Sequence, residues 1–113
     1  VTFPLEELAS LVATRAEAWT RLGLTWRTRP ISPNHGKPVV SSEFESATWL
    51  AEIVVWSTGE AELATVRLQD DGIINKHYDL TSRADLAALI DEFVALLVED
   101  RVPDDAFVTR WPE

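Results

Sequence analysis

Apolar residues recur at three- and four-residue steps through the first 22 positions: Leu5, Leu8, Val12, Ala16, Trp19 and Leu22. That spacing lines them up on one stripe and predicts an N-terminal helix over residues 4–22. Pro4 suits a first helical turn, Glu6 and Glu7 sit where the helix dipole favours negative charge, and Gly23 stands where a helix can end. The period then changes to two. Leu24, Trp26 and Thr28 alternate with Thr25, Arg27 and Arg29, which is strand-like. Arg29 to Pro38 holds three prolines and a glycine and reads as a surface loop. Val39–Glu45 is a second strand, and Thr48–Ser57 is the strongest, with Trp49, Leu50, Ile53, Val54, Val55 and Trp56. Glu60–Leu68 returns from it, and Asp70-Asp71-Gly72 turns into a further strand over Ile73–Leu80.

Helical spacing resumes in Leu86, Leu89, Ile90, Phe93, Leu96 and Leu97, predicting a helix from Arg83 to Glu99. Ser82 can cap it, with Asp85 three residues on in a capping-box-like pair. The last stretch, Ala106–Glu113, carries Phe107, Val108 and Trp111, apolar enough to pack back on the rest. Short connections between successive strands favour a meander. The expectation is therefore one α+β domain over residues 1–113: an N-terminal helix, an antiparallel β-meander of four to five strands, and a C-terminal helix packed on the same sheet face.

Taking Thr58-Gly59 as a two-residue hairpin loop pairs Trp56 with Ala61 and Trp49 with Leu68. Trp49, Ala51, Ile53 and Val55 then share a face with Leu68, Val66, Ala64 and Glu62, which should lie under the helices. The other face carries Leu50, Glu52, Val54 and Trp56 opposite Arg67, Thr65, Leu63 and Ala61. This second face is unusually apolar for a solvated one. Val54, Trp56 and Leu63, edged by Glu52, read either as an interaction patch anchored by Trp56 or as a surface covered by the tail (Phe107, Trp111) or the proline loop. A slip of one residue would exchange the two faces.

Charge sharpens the picture. The 113 residues hold 19 acids against 10 bases, a net charge of −9. Residues 1–41 carry five bases and three acids, whereas residues 42–113 carry five bases and sixteen acids. Such a surface repels phosphates and anionic lipid, so neither nucleic acid nor membrane is expected as a partner, while a basic protein would be steered towards it. Glu43, Glu45, Glu52, Glu60 and Glu62 fall within twenty residues that contain no Lys or Arg. They form either a solvated rim that discourages edge-to-edge pairing or a set of carboxylates for Arg or Lys on a partner; adjacent strands should bring several of them near the Thr58-Gly59 end. Acidity also simply keeps a small domain soluble.

Catalytic chemistry finds little support. Cysteine is absent, and the two histidines, His35 in a loop and His77 in a strand, lie 42 residues apart without metal-ligand spacing. No GxSxG elbow, phosphate loop or GxGxxG pattern occurs. A protein that is not an enzyme, with no cofactor and no metal, is expected. The opening VTFPLEEL lacks the basic and apolar regions of a secretory signal, so the expected location is cytoplasmic.

The run Trp56-Ser57-Thr58-Gly59-Glu60-Ala61-Glu62-Leu63 resembles the W-x-x-G-E-x-E-L hairpin of the TriTu family of bacterial immunity proteins. Gly36-Lys37-Pro38 entering a strand, and Asp79-Leu80-Thr81-Ser82 leading into a Leu-rich helix, agree with it. The resemblance spans about residues 36–97 and implies a binder made beside a toxin of the polymorphic or contact-dependent kind. In the family's name-giving members the toxin is an ADP-ribosyltransferase, neutralised by occlusion. The expected partner is thus a cognate toxin with a basic surface, met by a monomer or weak dimer through Trp56, Val54, Leu63, Glu52, Glu60, Glu62, Glu43 and Glu45. The competing reading is a small acidic secretion chaperone or adaptor, which would be a dimer.

Overall fold

The computed structural model describes residues 2–110. Its N-terminal apolar stripe forms two helical segments rather than one: α1 (Glu6–Thr14) and α2 (Ala16–Arg21), broken at Arg15, where φ is −106°. The cause lies in Trp19, which is fully buried and whose indole N–H needs an acceptor. It donates to the Val12 carbonyl at 2.9 Å, and Arg15 N–H uses that same carbonyl at 3.1 Å. Because the break inserts no residue, the stripe continues through it. Gly23, at φ +73°, closes α2: Gly23 N–H reaches the Thr20 carbonyl and Leu24 N–H the Trp19 carbonyl, the paired bonds of a Schellman motif.

Among the described residues six strands follow the meander order β1 (Thr25–Thr28), β2 (Val39–Glu45), β3 (Trp49–Trp56), β4 (Glu60–Arg67), β5 (Gly72–Asp79) and β6 (Phe107–Arg110), all antiparallel. That is one strand more than expected, because Phe107–Arg110 packs back as an edge strand on β5 rather than over a face. The expectation for Trp111 lies outside the described residues. Before β6 comes α3 (Arg83–Glu99), capped by Ser82, whose hydroxyl accepts Asp85 N–H. The carboxylate of Asp85 turns back to Thr81, accepting its N–H and its hydroxyl, each at 2.8 Å.

Both helical layers cover one face of the sheet. Leu8, Leu11 and Val12 of α1, Trp19 of α2, and Leu86, Leu89, Ile90 and Phe93 of α3 join Val40, Phe44, Ala51, Ile53, Val55, Ala61 and Leu63 in one core. At its centre Trp19, Phe44 and Phe93 form a triangle of tilted rings with centroids 4.9–5.6 Å apart. Among the described residues the two buried polar side chains are satisfied: Ser42 meets the Thr28 hydroxyl at 2.7 Å, and the Thr65 hydroxyl donates to the Ile74 carbonyl at 2.7 Å.

The β3–β4 register corrects the expected one by a single residue. Val55 faces Ala61, Ile53 faces Leu63 and Trp49 faces Arg67. The loop has three residues, Ser57–Gly59, with Gly59 at φ +95° and its N–H bonded to the Trp56 carbonyl at 2.9 Å. A left-handed third residue is what a three-residue hairpin loop requires. Space demands glycine there as well, since a Cβ on Gly59 would stand 2.5 Å from the Leu80 carbonyl oxygen. The shift turns Leu63 into the core, so it cannot belong to an exposed patch, and it turns Glu62, Ala64 and Val66 outward.

Candidate functional site

The uncovered face of the sheet can be read row by row from the register. One row runs Thr25, Glu45, Leu50, Val66, Ile73; the next runs Arg27, Glu43, Glu52, Ala64, Asn75, Phe107. Ser41, Val54, Glu62 and His77 make the third, and Val39, Trp56, Glu60 and Asp79 the last, beside the β3–β4 loop. Seven of the eight residues expected at a partner site, Trp56, Val54, Glu52, Glu60, Glu62, Glu43 and Glu45, thus share this face; Leu63 is the exception. The acids do not gather at the loop end as expected. Glu45 lies at the far end, Glu43 and Glu52 lie mid-face, and only Glu60 and Glu62 lie near the loop.

The first two rows floor a depression of about 700 Å3, with Leu50, Glu52, Ala64 and Val66 between Thr25 and Arg27 on one side and Ile73 and Asn75 on the other. Leu50 is 41% exposed and Phe107, at the β6 edge, 66% exposed. These residues leave apolar area in water that no element of the described chain covers. A smaller hollow of about 260 Å3 lies between Arg29, Pro30 and Ser32 of the proline loop and Val54, and Glu52 lines both. The proline loop therefore walls the Val54 end without closing the face.

Trp56 has a different setting from the expected bare anchor. It is half-buried, and the Lys37 ammonium sits 5.6 Å from its ring centroid while also 2.8 Å from Glu60 Oε1. The Thr58 hydroxyl donates to that same oxygen at 2.8 Å. Lys37 and Thr58 together hold the Glu60 carboxyl below its usual range. Lys37, Trp56, Gly59 and Glu60 form one brace that ties the start of β2 to the β3–β4 loop. Their place in the hairpin pattern has a structural explanation.

Elsewhere on the face, Glu43 accepts from Arg29 at 2.9 Å and from Arg27 at 3.0 Å, which lowers its pKa. His77 lies 3.1 Å from Asp79 and 3.5 Å from Glu62, and the Asp79 contact, more than Glu62, raises its pKa. Among the described residues no group of three His, Asp or Glu side chains could hold a metal ion. Residues that sequence reasoning did not assign to the partner site, Leu50, Val66, Ile73 and Phe107, supply the exposed apolar area. Outward alternation of β4 in the three-residue-loop register was the signal for Val66.

These features define a class: a two-layer α+β domain with one sheet face sealed by helices and the other bare, concave and acidic. A family model described as "Immunity protein TriTu" matches residues 6–96, and the chain belongs to that family. Its role is accordingly immunity, with a cognate toxin as the partner. No curated protein and no solved structure matches the chain.

Proposed function

We propose that this chain binds its cognate toxin on the open sheet face and neutralises it by occlusion, the toxin being an ADP-ribosyltransferase as the family resemblance implies. The observation that carries this reading is the depression around Leu50 and Val66, an apolar surface kept bare in an immunity-family chain. Affinity comes from burying Leu50, Val66, Ile73 and Val54, while Glu45 and Glu62 guide a basic toxin surface into place. A monomer, or a weak dimer that opens on binding, meets the toxin in the cytoplasm, with neither nucleic acid nor a membrane involved. No helix among the described residues is long and apolar enough to cross a membrane.

The test uses the toxin domain encoded by the reading frame beside this one. Co-expression of the chain should restore growth of bacteria producing that domain, and titration should give a one-to-one complex. Replacing Leu50→Ser should weaken binding roughly tenfold or more while the fold persists. A stable dimer that neither protects nor binds would support the chaperone or adaptor reading instead.

A further inference from the structure

Resting on the reading that the open face receives the toxin, we infer that Glu52 is the acceptor for an arginine of that toxin, inserted into the depression with apolar neighbours around it. Glu52 sits at the middle of β3, near the centre of the face. Leu50 and Val54 flank it along the strand, Ala64 lies opposite on β4, and another carboxylate, Glu43, lies directly opposite on β2.

Glu43 already has both nearby guanidinium groups, Arg27 and Arg29. The Glu52 side chain has neither an ion pair nor a hydrogen bond among the described residues, although the residue is half-buried. A carboxylate on an apolar floor loses hydration without gaining a partner. Glu52 is therefore a poor choice for the free domain and a good one for a complex that brings a cation.

The shape of the surroundings selects the cation. Glu52 lines both hollows of the face, so a side chain can approach it from the Leu50 side or along the proline loop. A guanidinium is planar, weakly hydrated and able to bond a carboxylate through two N–H groups, whereas an ammonium surrenders more hydration on entering such a site. The methylene stem of an arginine can lie along Leu50 and Val66. A volume of about 700 Å3 exceeds one side chain, so the residues beside the arginine are apolar and fill the rest over Ile73.

The experiment compares wild type with Glu52→Gln, which keeps shape and removes charge, by titration against the purified toxin domain of the adjacent reading frame. Affinity should fall roughly 30-fold or more, while the melting temperature stays level. Arginine-to-glutamine variants across the toxin domain, each combined with Glu52→Gln, should include one whose loss is not additive with it. Unchanged affinity of Glu52→Gln, parallel loss of affinity and melting temperature, or additive losses for every toxin arginine would overturn the assignment while the docking reading stands. A wild-type chain that does not bind the toxin domain at all would overturn both.

Discussion

The two sides of β3 divide its eight residues, four to each, for opposite ends. Trp49, Ala51, Ile53 and Val55 point under the helices, and Ile53 and Val55 are wholly removed from water. Leu50, Glu52, Val54 and Trp56 point away from them and keep partial contact with solvent. The inner side is explained by folding: each large apolar side chain buried there contributes about 1.5–3 kcal/mol. The outer side is not, since a surface leucine adds little to stability and a mid-face carboxylate without a cation subtracts from it. The difference teaches that the outer side is shaped by something beyond the chain's own fold.

The largest expected effect lies on the inner side. Phe93→Ala opens the aromatic triangle and should cost about 3–5 kcal/mol in urea unfolding, with loss of toxin binding only as the fold is lost. Next comes the turn that sets which side is which. Gly59→Ala forces a side chain into a left-handed backbone against the Leu80 carbonyl and should cost about 1–3 kcal/mol, read as a lower urea midpoint. Leu50→Ser separates the sides most cleanly, with stability held to within about 0.5 kcal/mol and the loss confined to toxin affinity. If it instead unfolded the domain as Phe93→Ala does, the contrast between the faces would vanish.

The smallest effect concerns pH on the outer side. Asp79, and after it Glu62, favour the charged form of His77 in the folded chain, so its contribution to stability is complete below the ordinary value of 6.5 and fades as pH rises through the raised folded value. His77→Gln should flatten the unfolding midpoint across that range. Glu43, Glu60 and Asp85 work in the other direction: their pKa values are lowered, so their contribution is lost as pH falls through the folded values. Both effects shrink as salt is added, because all these groups are exposed enough to be screened.

Much of this was legible in the residues. Ser82 and the Leu-rich spacing after it mark α3 to the residue, and Gly23 marks the end of α2, because caps depend on local chemistry alone. The break at Arg15 was not legible, since it follows from where the Trp19 indole finds an acceptor once buried. Register was the costly miss. A two-residue loop Thr58-Gly59 and a three-residue loop Ser57–Gly59 differ by one position, and β4 carries small and apolar residues on both sides. One clue was present: the two-residue register puts Glu62 under the helices, where a carboxylate has no counterion. Correcting it sends Leu63 inside and brings Val66 out, which moves the centre of the candidate site from Trp56 to Leu50. The edge strand β6 escaped notice because four residues with one apolar pair carry little periodic signal.

The central claim, that the toxin docks on the bare side of the sheet, is tested most directly by methyl resonances of the chain recorded with and without the toxin domain. Leu50, Val54, Val66 and Ile73 should shift or broaden on binding, while Leu8, Leu86, Leu89 and Ile90 beneath the helices stay in place. Changes confined to the helical side, for instance at Val98 and Val102, with the sheet residues undisturbed, would contradict the account.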